Sequence, residues 1–261
     1  ILHIDWNLHL DPVVAKLPFS GSAWPLLSLV VIYLLVVLRF GRRYMDKRRP
    51  YNIQNIIIVY NIFQVIYNVI LFFTMCKYMK FYTRTYNVTC MPTLPMDHPE
   101  KNIERMLSYA FYINKISDML DTFFFVLRKS YKQITVLHVY HHILMATGPY
   151  WVFRFYGVGG QYSSMILLNT FVHLVMYFYY LMSALNPAAT RNLWWKKYIT
   201  ILQFVQFSIA MLQSVYIVMF NPSCEYPIIF HYITITGGLI FVAMFTNFYI
   251  QSYLKPRHKK Q

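Results

Sequence analysis

Apolar residues recur along this chain in runs of membrane-spanning length, and sharp breaks separate the runs. Windows long enough to cross hydrocarbon, roughly 17–25 residues, fall at about 24–40, 53–77, 105–127, 134–155, 160–183, 198–219 and 228–253. Helix breakers sit between them: Pro92, Pro95 and Pro99; Gly157, Gly159 and Gly160; Pro187; Pro222 and Pro227. The first window carries almost nothing polar. In the other six, polar residues recur at steps of three and four, which places them on one helical face. They are Asn61, Gln64 and Asn68; Asn114, Lys115, Asp118, Asp121 and Thr122; His138, His141 and His142; Asn169, His173, Tyr177 and Tyr180; Gln203, Gln206 and Gln213; and His231, Thr234 and Asn247. Facing lipid these groups are costly, so they are expected to face one another. The pattern predicts an all-α integral membrane protein of seven transmembrane helices, a single domain over 1–261. Helices 2–7 are expected to surround a polar chamber, with helix 1 peripheral and residues 254–261 a basic tail.

Composition agrees with the bilayer as solvent. Hydrophobic residues make up 57% and charged residues 13% of the chain, against about 25% charge in soluble domains. The net charge of +15 invites a nucleic-acid reading, but its distribution favours another. The loops after helices 1, 3, 5 and 7 hold sixteen of the 24 Lys and Arg, the N-terminus and remaining loops seven. By the positive-inside rule the N-terminus is lumenal and the C-terminus cytosolic, the excess facing anionic lipid and no nucleic acid. The chain begins at Ile1 without methionine, so a short preceding piece is expected. The run from Trp24 to Phe40 has no basic stretch before it and a strongly basic one after it, the charge order of a helix that is retained. Cys90 and Cys224 both fall in loops assigned to the lumen and are expected to bridge, leaving Cys76 free. Asn87-Val88-Thr89 is a glycosylation sequon in one of those loops.

Depth gathers the polar residues into one layer. At 1.5 Å rise per residue, His141 lies roughly 12 Å, His173 about 15 Å, Asp118 about 13 Å, Asp121 about 9 Å and Gln206 about 12 Å from the cytosolic helix ends. His138-x-x-His141-His142 is metal-ligand spacing, and a di-iron desaturase uses such a box. Those enzymes need further histidine boxes. Of nine histidines, His3, His9, His98 and His258 fall in tails or loops, which under-supplies a di-iron centre; one metal ion is not excluded by counting. Asp118 and Asp121 beside Lys115 read either as a salt-bridged packing motif or as groups that orient an imidazole.

Four motifs in order carry a family resemblance: Lys115-x-x-Asp118-x-x-Asp121-Thr122; His138-Val-Tyr-His141-His142; Asn169 through His173 to Tyr180; and Thr200 through Gln203 and Gln206 to Phe207. Together they resemble the very-long-chain fatty acid elongases, with Asp118 standing where that family usually has glutamate. The resemblance implies a 3-oxoacyl-CoA synthase of the endoplasmic reticulum membrane, without cofactor or metal, working with the other enzymes of the elongation cycle. It would join acyl-CoA to malonyl-CoA in a tunnel within the six-helix ring, releasing carbon dioxide and CoA. His141 and His173 become the expected core catalysts, with His138, His142, Asp118 and Asp121 beside them. Lys115, Asn169, Tyr177, Gln203 and Gln206 become expected substrate contacts.

Arg128, Lys129, Lys132, Lys196 and Lys197 fall at the cytosolic mouth, where CoA phosphates would sit. They serve equally as positive-inside charge. The tail from Lys255 to Gln261 is similar to a dilysine retrieval signal. Two alternatives share the topology. A seven-helix receptor seldom gathers imidazoles and acids near the cytosolic side, and a transporter is expected to show internal repeats that this chain lacks.

Overall fold

The computed structural model describes residues 10–85, 87, 89–186, 188 and 194–254. The basic tail and Pro187 lie outside the described residues, so the retrieval-like signal has no structural counterpart here. Helices account for nearly all of the structure, and no strand occurs among the described residues. The first, α1 (Ala23–Leu35), starts where the Ser22 hydroxyl accepts the Trp24 N–H. It runs on through a π-helical turn, Val36–Phe40, into α2 (Gly41–Asp46). Gly41 lets α2 press against the next hairpin: a Cβ there would meet Val126 Cγ1 at 2.8 Å.

The rest of the chain forms α3 (Gln54–Thr85), α4 (Lys101–Asp118), α5 (Leu120–Leu127), α6 (Val136–Phe155), α7 (Tyr162–Leu185), α8 (Trp194–Phe220) and α9 (Ile228–Tyr249). Among the described residues, five helices are long and apolar enough to cross a membrane: Ala23–Asp46, Gln54–Thr85, Tyr162–Leu185, Trp195–Phe220 and Ile228–Leu254. The protein is therefore a multi-pass membrane protein. The window expected at 105–127 is two helices, α4 and α5, interrupted at Met119. Around that residue the hydrogen bonds tighten to three-residue spacing, Met119 N–H to the Ile116 carbonyl and Thr122 N–H to the Met119 carbonyl, both 3.2 Å. Neither proline nor glycine causes the break.

Packing runs in a definite order. α3 lies against α7 and α4, α7 against α8, α8 closely along α9, α9 sparsely against α6, and α6 against α4. Helix 1, expected to be peripheral, is anchored by two buried residues. Leu26 and Tyr33 are buried, and the Tyr33 hydroxyl lies 2.9 Å from Thr122 Oγ1.

At one end of the bundle Cys90 and Cys224 are disulfide-bonded with a Cα separation of 5.5 Å, joining the α3–α4 loop to the α8–α9 loop; Cys76 is free and half-buried. Beside the bridge lies a buried polar knot. The Glu104 carboxylate pairs with Lys101 Nζ at 2.8 Å. It also accepts Tyr78 O–H at 2.9 Å, Gly160 N–H at 3.1 Å and Leu94 N–H at 3.2 Å. Gly159 is required here twice over: its φ is 82°, and a Cβ would fall on the Glu104 side chain. One carboxylate thereby fastens α3, the α3–α4 loop and the α6–α7 turn.

Candidate active site

At the other end, the polar stripes of α3, α4, α5, α6 and α7 converge. The Lys115 ammonium is the hub, 2.7 Å from Asp118 Oδ2, 3.0 Å from Asn169 Oδ1 and 3.0 Å from His173 Nδ1. Asp118 Oδ2 lies 3.3 Å from the same His173 nitrogen. Asp118 Oδ1 accepts Gln64 Nε2–H at 3.0 Å and Tyr177 O–H at 2.9 Å. The Tyr177 hydroxyl also lies 2.8 Å from Asp121 Oδ2, so one phenol spans both carboxylates. The three-residue turn at Met119 makes this possible by bringing Asp118 and Asp121 round to a common partner.

Gln64 ties the cluster to α3. Its amide also donates to Tyr60 Oη and Ser117 Oγ, each 3.0 Å away, while its carbonyl accepts Asn114 Nδ2–H at 2.6 Å. Lys115, Asp118, Asn169, His173, Tyr177 and Gln64 are all buried. A charge pair taken this far from water persists only with such dense hydrogen bonding.

The imidazoles of α6 adjoin this cluster. Thr135 starts α6 by accepting the His138 N–H, which presents the histidine run along one face. His138 commits Nε2 to Thr122 Oγ1 at 2.8 Å, and its ring centre is 4.3 Å from that of His142. His141 turns the other way. Its ring lies nearly parallel to His173, 24° between planes and 6.3 Å between centres. His141 is half-buried, so it reaches space that the acids do not. Among the described residues, no three His, Cys, Asp or Glu side chains converge as metal ligands.

Beyond His141 begins an apolar cavity of about 770 Å³, lined by α6, α7, α8 and α9. Phe207 and Phe241, stacked at 4.4 Å, stand at its head and both touch the His141 ring. Val152, Met165 and Phe230 form its walls, and Thr93, Tyr156 and Tyr226 its far end beside the disulfide. Sequence reading did not single out the two phenylalanines. Phe207 closes the last quoted motif, but Phe241 sits in an unbroken apolar run with no signal.

The other expected contacts divide. Tyr177 is fully buried, its hydroxyl spent on the carboxylates rather than on open space. Gln206 is buried beside Phe207, and the Gln203 amide lies 3.7 Å from Met176 Sδ. Arg128 caps the end of α5 and Lys196 lies in the first turn of α8; both are exposed and apart from the cluster. Asn87 is exposed, its side chain accepting Thr89 N–H at 3.0 Å.

The fold and cluster define an all-helical, multi-pass membrane protein with paired imidazoles, backed by a buried ion pair, at the head of an apolar cavity. Residues 18–261 match the ELO: GNS1/SUR4 family, and the chain belongs to it. It is 39% identical over 250 residues to very long chain fatty acid elongase F of Drosophila melanogaster, covering 96% of each chain. It is similar to very long chain fatty acid elongase 1 of Mus musculus, 35% identical over 259 residues and covering 98% of this chain and 91% of that one. It also resembles very long chain fatty acid elongase 4 of Homo sapiens, 33% identical over 258 residues and covering 98% and 79%.

Proposed function

We propose that this protein is a condensing enzyme that joins a long-chain acyl-CoA to malonyl-CoA, giving a 3-oxoacyl-CoA two carbons longer, carbon dioxide and CoA. The observation that carries this reading is the facing pair His141 and His173, with His141 against Phe207 and Phe241 at the head of an apolar cavity. The thioester sits between the two rings. One imidazole attacks its carbonyl and expels the CoA thiolate, which leaves as the thiol; the acyl group waits on nitrogen. Malonyl-CoA then loses carbon dioxide, and its α-carbon takes the acyl group, freeing the imidazole. Lys115 and Asp118 both face His173 Nδ1, an ammonium that can only donate at 3.0 Å and a carboxylate that can only accept at 3.3 Å, and their balance decides which ring nitrogen carries the proton. One of His142, Asn169, Gln203 and Gln206 supplies the donor that the enolate oxygen needs. The CoA phosphates lie over Arg128 and Lys196.

In this reading α3, α7, α8, α9, α6 and α4 close a six-helix ring, supported by their pairwise packing order. The positive-inside count supports a lumenal N-terminus and a cytosolic C-terminus, and membership of the elongase family supports reticulum residence. Incubating the purified protein with an acyl-CoA and labelled malonyl-CoA tests the reaction. Labelled 3-oxoacyl-CoA is expected, and its absence across a panel of chain lengths would overturn the proposal.

Two further outcomes follow. Thiolate expulsion and decarboxylation need no redox step, so prolonged chelation is expected to leave condensation unchanged; activity restored only by added metal would reverse this. The cavity wall sets product length, because a tail held at His141 must place each added methylene deeper. Val152→Phe is expected to shift products at least one cycle shorter and Phe230→Ala one cycle longer. An unchanged product profile would refute that geometry.

A further inference from the structure

The wall of the cavity is incomplete. α9 packs closely along α8 but only sparsely on α6, and ring contacts join the two sides at two separated levels, the second just beyond the helix ends. At one, Tyr140 meets Phe241 with ring centres 5.5 Å apart; at the other, Tyr156 meets Tyr226 at 4.7 Å. Between them run 13 residues of α9, Ile228 to Ile240, roughly 20 Å of helix. Two glycines face this stretch, Gly148 on α6 and Gly237 on α9, and both line the cavity. A Cβ on either would find nothing within 4 Å. Trp151, Ile229 and Ile233 line the cavity yet are 41%, 39% and 53% exposed. Side chains that face the cavity and the outer surface together mark a gap, and the outer surface at this height is hydrocarbon.

We infer that the space between α6 and α9 at Gly148 and Gly237 is a lateral portal, through which an acyl chain passes directly between the bilayer and the cavity. This rests on the reading of the cavity as an acyl site. A long acyl-CoA in a membrane already has its tail in lipid and its head in water. To thread end-on past the histidines and the Phe207–Phe241 stack, that tail must first leave lipid, with a hydrophobic cost for every methylene drawn into water. Sideways passage exchanges one apolar surround for another while the head stays at the mouth. The portal lining is apolar, as that passage requires, and the glycines keep it clear.

The test uses the whole protein in lipid nanodiscs containing a phospholipid with a photoactivatable diazirine in its tail. Labelling is mapped by peptide mass spectrometry. Label on Met165 and Val152, inside the cavity, is expected alongside label on outward-facing Ile240. In the double variant Gly148→Leu, Gly237→Leu each new Cβ enters open space, and the change raises helix propensity. It is expected to cut the internal label roughly tenfold or more, since bulk enters the gap from both sides, and to leave Ile240 labelling unchanged. A short diazirine acyl-CoA supplied from water should still label Met165 in that variant. Absence of internal label in the unsubstituted protein would overturn the portal, as would internal label that the leucines leave unchanged. Loss of both labels together would also count against it. The readout needs no turnover. A protein that condenses but takes no internal label keeps the proposed function and loses the portal, and the reverse result separates them the other way.

Discussion

His141→Ala and His173→Ala proteins are each expected to insert, fold and bind CoA while losing condensation by at least about 10²–10⁴-fold, the scale of a missing general base or nucleophile. The two rings face one another, and His141 borders the two phenylalanines at the head of the cavity. His138 is bonded to Thr122, and His142 lies against the His138 ring on the far side. His142→Ala should therefore cost less. Asp121→Asn should be intermediate, because Asp121 reaches His173 only through Tyr177 and Asp118. Labelled malonyl-CoA incorporation measures the loss, and size-exclusion elution in detergent checks folding. Incubation with acyl-CoA alone should release free CoA and leave an acyl mass adduct on one of the two histidines. Full turnover by the His141→Ala protein would place the chemistry elsewhere.

Glu104→Ala is expected to be the most destabilising single change away from the imidazoles. It leaves Lys101 as an uncompensated buried charge, 3% exposed, and strands the donors of Tyr78, Gly160 and Leu94. Breaking a buried pair from one side costs about 3–5 kcal/mol. Replacing both partners, Lys101→Met with Glu104→Leu, removes the lone charge and should recover part of that loss. Thermal unfolding followed by detergent size-exclusion reads both, with the expected order wild type, double variant, single variant. A single variant as stable as wild type would show that the knot is bystander packing. Because Thr93 and Tyr156 lie in this knot and also line the cavity, the single variant should blur product length as well.

Much of this arrangement was legible in the stripes of polar residues. Lys115, Asp118, His141, His173 and Gln64 each stand in an apolar run where a polar group is costly, so their convergence follows from the bilayer alone. The break at Met119 was not legible. Its neighbours are ordinary helix formers, and the turn's use, bringing the carboxylates on either side to Tyr177, is visible only in the folded chain. Glu104 was missed for the opposite reason. With Lys101 and Arg105 nearby it reads as a helix's wet face, and only the folded loop between Thr93 and Leu94 reveals it as buried. The anchoring of helix 1 escaped notice because a tyrosine in an apolar helix carries no sign of where its hydroxyl will end. The portal had no local signature either, since Gly148 and Gly237 belong to different helices and acquire meaning only side by side.

The cross-link between Cys90 and Cys224 joins positions 134 residues apart and encloses α4 through α8 in one covalent loop. During synthesis, Cys90 is made long before its partner. At about 5–20 residues per second the wait is on the order of 10 s. Helices α4 to α7 thus find their neighbours while that end of the bundle is still unsealed, and the stitch is placed only after α8 has been threaded. In the finished molecule the same loop works as a clasp. A protease that cuts the chain anywhere between the two cysteines leaves pieces that travel together until a reductant parts them.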